Sequence, residues 1–239
     1  MTVALIFAGG TGRRMRSSGT PKQFLELYGK PIIIYTLEKF ESNPDVDGIV
    51  VVCLEGYIDH MKKLIERYGI TKAESVVPGS TTGQLSIYEG LKEIVARFGP
   101  DTVTLVHDGV RPLVDPVTIS RCAALAAQKG NAVTVVPAQE TIILDTEKEN
   151  GCRILDRSAC MMARAPQTFI AGELLSWHEE VMAEGRTDFI DSASIAEHCG
   201  AKLNTVEGRT ENIKITTPID YYIFKAILSA RENSSVFGF

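Results

Sequence analysis

Short apolar runs punctuated by glycine alternate with longer amphipathic stretches along most of this chain. Residues 3–7 form a continuous apolar run ending in Ala8-Gly9-Gly10, which predicts a buried strand followed by a loop. A helix is predicted over 31–40, opened by Pro31 and carrying Ile32, Ile33, Tyr35, Leu37 and Phe40. A second buried strand is expected over 48–54, a helix over 58–68 and a short strand over 75–77. A long helix follows over 82–98, with Leu85, Tyr88, Leu91 and Val95 on one face. Residues 102–106 are another apolar run leading into His107-Asp108-Gly109, then come a helix over 116–129 and a strand over 132–136. This rhythm predicts an α/β fold, a mostly parallel twisted sheet flanked by helices, as a single domain over 1–239. Ligands of such sheets bind beyond the carboxyl ends of the strands, so the loops 9–14 and 107–111 mark the expected site.

The alternation breaks between Pro137 and Phe169. Two apolar stretches, 141–144 and 153–155, flank the polar turn 145–151, which predicts a β-hairpin arm at about 138–160. An exposed hairpin needs its edges covered, and the partner subunit of a homodimer is a candidate cover. Helices are expected again over 172–184, 191–198 and 218–231, with strands over 202–206 and 213–215 between the last two.

Composition narrows the function classes. With 239 residues, 44% of them hydrophobic, the chain can bury a substantial core. A net charge of -5 argues against a nucleic-acid partner, which calls for a basic face, and makes each locally gathered cation informative. The cysteines are Cys53, Cys122, Cys152, Cys160 and Cys199, an odd count without a CxxC pair; free thiols in a reducing cytoplasm are expected. No apolar run approaches the ~18 residues of a membrane span, and the apolar start lacks a basic n-region, so it reads as a strand and no membrane partner is expected.

Four segments carry the candidate chemistry. Glycines placed directly after a strand let backbone N–H groups approach phosphates. In Ala8-Gly9-Gly10-Thr11-Gly12-Arg13-Arg14-Met15 they are followed by two arginines, with Lys22 close behind, a set suited to a triphosphate. The dinucleotide fingerprint fails because Met15 stands where a third glycine belongs, and the Walker pattern fails because Gly19 is followed by Thr20-Pro21. In the second segment, Asp108 at a strand end is placed to hold Mg²⁺ on phosphate oxygens, although a lone aspartate there serves equally well as a cap. His107 reads as a hydrogen-bonded core histidine, and Arg111 either as a structural ion pair or as a functional group. In the third, Lys214 between Ile213 and Ile215 is costly unless an anion pairs with it. In the fourth, Arg157 matters only if a partner's hairpin reaches an active site. No Ser-His-Asp or Cys-His arrangement stands out. A phosphate monoester attacking an α-phosphorus needs positioning, a cation and Mg²⁺ more than a general base, and these residues supply that toolkit.

Taken together, the motifs resemble those of the cytidylyltransferases that include methylerythritol-phosphate cytidylyltransferase of isoprenoid synthesis and ribitol-5-phosphate cytidylyltransferase of wall and capsule synthesis. The likeness runs from Gly9-Gly10-Thr11-Gly12-Arg13-Arg14-Met15 and Pro21-Lys22-Gln23-Phe24-Leu25, through His107-Asp108-Gly109-Val110-Arg111-Pro112 and Ala165-Pro166-Gln167-Thr168-Phe169, to Glu207-Gly208-Arg209 and Asn212-Ile213-Lys214-Ile215-Thr216. It implies a Rossmann-like nucleotidyltransferase fold with a β-hairpin dimerisation arm, and CTP-dependent transfer of CMP to a small polyol phosphate with release of pyrophosphate. Arg14, Lys22 and Lys214 would be catalytic, gripping the triphosphate and the charge on its α-phosphorus. Ala8, Gly9, Gly10, Thr11, Gly12, Arg13, Ser86 and Gly109 would bind the nucleotide, and Asp108 the Mg²⁺. Arg111, Thr141, Arg157 and Asp191 would meet the acceptor, Thr141 and Arg157 from the partner subunit.

Three positions depart from the family's pattern: Gly83, where an arginine is frequent; Ala165, where a threonine precedes Pro-Gln; and Ile190, where a threonine precedes Asp191. The opening glycines favour ribitol 5-phosphate as acceptor, for a surface polymer, whereas Asp156-Arg157-Ser158 and Glu207-Gly208-Arg209 are nearer the methylerythritol branch. Competing readings are a nucleotidyltransferase for another sugar phosphate, a noncatalytic nucleotide-binding module, and a nicotinamide-dependent oxidoreductase; the last leaves Lys22 and Lys214 without a use.

Overall fold

The computed structural model describes residues 1–9, 19–146 and 151–237. In chain order the strands are β1 (Thr2–Ala8), β2 (Glu26–Leu27), β3 (Lys30–Pro31), β4 (Gly48–Cys53), β5 (Ala73–Pro78), β6 (Val103–Asp108), β7 (Asn131–Pro137), β8 (Ile143–Thr146), β9 (Gly151–Ile154), β10 (Met161–Ile170) and β11 (Thr205–Glu207). The helices are α1 (Ile32–Glu41), α2 (Ile58–Arg67), α3 (Gly83–Phe98), α4 (Pro116–Lys129), α5 (Ala171–Ala183), α6 (Ser192–His198) and α7 (Pro218–Phe237). Seven strands form one sheet in the order β11-β7-β10-β6-β1-β4-β5. All neighbours pair in parallel except β10, which runs antiparallel to both β6 and β7.

Both faces of this sheet are covered, which is why β4 reads Gly-Ile-Val-Val-Val-Cys without polar alternation and is buried at every position. Odd and even residues of one strand enter different cores. Ala4 and Ile6 of β1, with Ile49 and Val51 of β4, pack under α1, α2 and α4 through Leu37, Met61 and Ile119. Val3, Leu5, Val50 and Val52 pack under α3, α5 and α6 through Leu91, Leu174 and Ala196. A third cluster, Leu27, Ile32, Val110, Leu113, Ile215 and Phe224, seats α7 against the body.

Helix boundaries follow local chemistry. Thr82 caps α3 by accepting from Leu85 N at 3.1 Å. Asp115 caps α4 by accepting from Thr118 N at 3.1 Å, with Pro116 in the first turn, and the helix ends on Gly130 at φ 84°. Asp191 caps α6, accepting from Ser194 N at 2.9 Å.

The expected α/β architecture is present, with three differences. The hairpin arm is β8–β9, but the segment after it, to which the sequence pattern assigns no element, is the ten-residue β10. Residues 213–215 form no ladder; Ile215 N makes a single bond to Val110 O at 2.9 Å. The strand expected over 202–206 is confined to β11.

Candidate active site

The carboxyl ends of β1 and β6 meet at one point, because Gly109 N donates to Phe7 O at 3.0 Å. A Cβ on Gly109 would lie 2.6 Å from Ile33 Cδ1 and 3.1 Å from Ala8 Cβ, so only glycine lets this turn approach β1. Gly9 and Gly79 face each other across the Ser86 hydroxyl, which accepts from Ser80 N at 3.0 Å and donates to Thr82 O at 2.8 Å. Ser86 therefore fixes the loop after β5 against the loop after β1. The Lys22 segment is anchored there as well: Gln23 Nε2, buried, donates to Ala8 O at 2.7 Å. Lys22 is half-buried in the short helical turn that follows Pro21. Gly10, Thr11, Gly12, Arg13 and Arg14 lie outside the described residues.

Asp108 ends β6 with its carboxylate between two cations. Arg111 Nε donates to Oδ2 at 2.7 Å, and Lys214 Nζ lies 2.5 Å from Oδ1. Burial works against the Asp108 charge, but Lys214 and Arg111 outweigh it and hold the carboxyl well below the usual carboxylate range. Arg111 is thus ion-paired, and it is also buried against the Asn212 carbonyl, to which Nη1 donates at 3.0 Å. Asn212 in turn donates to Ala165 O at 2.6 Å, tying the Lys214 segment to β10. His107 is fully buried beside Phe40, its Nε2 3.2 Å from Arg111 O; desolvation brings its pKa down to about 4.

A cavity of about 330 Å³ opens beside this carboxylate, within the range of small-ligand sites. Phe7, Asp108, Arg111, Arg164, Asp191 and Lys214 line it. Asp191 stays at its edge because Gln167 Nε2 donates to its Oδ2 at 3.0 Å while Gln167 Oε1 accepts from Ala193 N at 2.9 Å. Gly83, Ala165 and Ile190, the three departures from the family pattern, also line this cavity.

Of the residues singled out from sequence, one chain thus brings Asp108, Arg111, Asp191 and Lys214 to the cavity, and Ala8, Gly9, Ser86 and Gly109 together around the end of β1 and the start of α3. Thr141 and Arg157 do not line it; Arg157 is exposed on the arm and donates to Gln139 O at 3.0 Å. Sequence reasoning missed Arg164 and the positioning residues Gln23 and Gln167, the last two signalled only by a polar side chain inside an otherwise matched motif, and it gave Asn212 no role beyond a polar neighbour of Lys214.

A divalent cation that travels with phosphates needs one or two protein oxygens. Asp108, ionised and at the strand end, fits that demand with a single carboxylate. Among the described residues no group of three or more His, Cys, Asp or Glu forms a metal cage. No helix among them is long and apolar enough to cross a membrane.

Comparison with known proteins agrees with this architecture. The family model for IspD, 2-C-methyl-D-erythritol 4-phosphate cytidylyltransferase, matches residues 2–230. A ribitol-5-phosphate cytidylyltransferase of Vibrio parahaemolyticus is 48% identical over 238 residues, covering 100% of both chains. A 2-C-methyl-D-erythritol 4-phosphate cytidylyltransferase of Geotalea uraniireducens is 38% identical over 228 residues, covering 95% of this chain and 96% of its own. Among solved structures, 4-diphosphocytidyl-2C-methyl-D-erythritol synthase of Anaerococcus prevotii superposes with a TM-score of 0.80 at 25% identity, covering 96% of each chain. With its mostly parallel sheet and its carboxylate–lysine pair in place, and the family model matched over residues 2–230, the chain belongs to the IspD family of cytidylyltransferases.

Proposed function

We propose that this protein transfers CMP from CTP to ribitol 5-phosphate and releases pyrophosphate. The observation that carries the reading is the convergence of Lys214 and Arg111 on the Asp108 carboxylate at the mouth of a ligand-sized cavity. A phosphate monoester is largely dianionic near neutral pH, with a second pKa of about 6, so it can attack the α-phosphorus without a base. The sealed, neutral His107 is then no loss to the chemistry. Lys22, Lys214 and Arg14 neutralise the charge that grows on the α-phosphoryl group. Ala8, Gly9, Gly10, Thr11, Gly12, Arg13, Ser86 and Gly109 hold the nucleotide. Asp108 would hold Mg²⁺, which when bound neutralises phosphate oxygens and keeps the triphosphate in line.

Arg111 and Asp191 orient the acceptor, and Thr141 and Arg157 reach it from the arm of a second copy. Support for pairing comes from the arm's exposed apolar residues Ile143, Leu144 and Ile154, continued by Met161 and Met162. Support for ribitol 5-phosphate over methylerythritol 4-phosphate comes from the higher identity to the ribitol-named relative, 48% against 38%. We place the reaction in the cytoplasm, where the buried free thiols Cys53 and Cys122 stay reduced.

Pyrophosphate release, measured with CTP and Mg²⁺ over a panel of small polyol phosphates, tests this directly. Ribitol 5-phosphate is expected to be the best acceptor. Faster turnover with methylerythritol 4-phosphate would move the enzyme to the other branch, and no release with any member would remove the transfer reading.

A further inference from the structure

The pairing of β10 with β7 slips between Ala163 and Gln167. A register slip of this kind re-aims side chains, and here it delivers Arg164 to the wall of the cavity. Among the described residues Arg164 has no ion pair and no hydrogen bond, and its Nε is buried without an acceptor. Its surroundings make matters worse for the charge: burial first, and then the nearby Arg111 guanidinium, lower its basicity.

The other charges of the cavity are already answered. Lys214 and Arg111 share Asp108, and Asp191 receives Gln167 and the first turn of α6. Arg164 is left as a half-buried guanidinium at the cavity wall, with no anion paired to it among the described residues. Such an arrangement costs stability in the free protein and gains only when an anion arrives. A guanidinium forks onto phosphate oxygens with two parallel N–H···O bonds, a match no hydroxyl offers as well.

The substrate pair contains two sources of phosphate. Ala8, Gly9, Ser86 and Gly109, assigned to the nucleotide, do not line this cavity, whereas Arg111 and Asp191, assigned to the acceptor, do. We propose that Arg164 is a substrate-binding residue that holds the phosphate of the acceptor, from the same chain whose Asp108 and Lys214 border the cavity. The proposal rests on the transfer reading above, and it gives each subunit its own acceptor-phosphate ligand in addition to those on the arm.

The test uses the full-length chain and its Arg164→Leu and Arg164→Lys variants. Leucine fills similar space without a charge to bury, so its melting temperature should equal or exceed that of the parent. The KM for ribitol 5-phosphate should rise by about 10–100-fold in Arg164→Leu, the loss that a charged hydrogen bond carries, while the KM for CTP stays put. Arg164→Lys should recover part of that loss. An unmoved acceptor KM, or a CTP KM that rises in step with it, overturns the proposal. Calorimetric titration of ribitol 5-phosphate separates it from the transfer reading. Binding by the parent that Arg164→Leu abolishes, without any pyrophosphate release, would uphold Arg164 as a phosphate ligand and sink cytidylyl transfer; no binding by the parent would overturn the proposal.

Discussion

Lys214 reaches across from the segment before α7 to place its Nζ 2.5 Å from Asp108 Oδ1, so that the last cation of the chain's motifs is held by the carboxylate at the end of β6. The lysine side chain is 38% exposed and the aspartate 8%, so the pair sits at the boundary between protein and cavity. Arg111 pairs with the other oxygen of the same carboxylate, its Nε 2.7 Å from Oδ2.

That geometry separates catalysis from folding. Lys214→Ala should lower kcat by about 10²–10³-fold, the size of effect seen when one preorganised charge donor is removed. Its cost in stability should be ~1 kcal/mol or less, because a part-exposed ion pair contributes little. Steady-state pyrophosphate release and a urea melt on the same preparation check both halves. Lys22→Ala should behave alike, and near-normal turnover in either variant removes that lysine from the mechanism.

Arg157 sits on the arm, away from its own chain's cavity. Arg157→Ala should therefore raise the acceptor KM and leave CTP affinity alone if the arm works on a second copy. Weaker CTP binding with an unchanged acceptor KM would contradict that role.

The contact between α3 and the sheet depends on Gly90. A Cβ there would lie 2.7 Å from Val52 Cγ2 and 2.8 Å from Leu5 Cδ1, both in the fully buried core. Gly90→Ala should cost about 1–3 kcal/mol through overpacking, less the ~1 kcal/mol that alanine gains over glycine within a helix. Equilibrium unfolding in urea reads the difference, and a variant more stable than the parent would show that Leu5 gives way freely.

His178 of α5 is buried with neither ring nitrogen hydrogen-bonded, and burial takes its pKa down to about 4. The unfolded chain binds a proton near the ordinary value of 6.5, the folded one only near 4. Stability should therefore fall as pH drops from about 6.5 to about 4, by up to ~1.4 kcal/mol per pH unit for this group. His107 adds a second contribution of the same sign. His178→Phe should flatten that slope without changing turnover, as measured by thermal melts across the window; a slope equal to the parent's would mean that the two states titrate alike there.

The β-α alternation up to β7 was legible because the sheet strands are short apolar runs and the helices between them keep a helical period; the two-residue strands β2 and β3 were too short to leave such a pattern. The strand β10 was not. Pro166 lies inside it, and a proline argues against a central strand; it is tolerated where the β7 ladder slips, its carbonyl accepting from Thr134 Oγ1 at 2.7 Å. Residues 213–215 err in the opposite direction: their apolar–polar alternation serves Ile215 in the α7 core and Lys214 at the carboxylate, without any neighbouring strand. In the site, Asp108 and Lys214 could each be picked out, but their pairing could not, because it depends on how two distant segments close. Arg164 carried no pattern of its own, and only the slip in β10 gives it a direction.

The position of β10 between β6 and β7 also sets an order of assembly. Strands made one after the other, β6 and β7, never touch, and the β7–β11 edge joins the β6-β1-β4-β5 block only through a strand made after the arm. A nascent chain that has emerged as far as Pro137 holds the β6-β1-β4-β5 block with β6 as an open edge, and β7 with neither of its neighbours yet made, the kind of surface that invites pairing with the wrong neighbour. Completion waits for the segment that also brings Arg164, Ala165 and Gln167 to the cavity. β6 and β7 are bridged and Arg164 is delivered to the pocket in the same event, so a polypeptide stopped short of Met161 lacks both together.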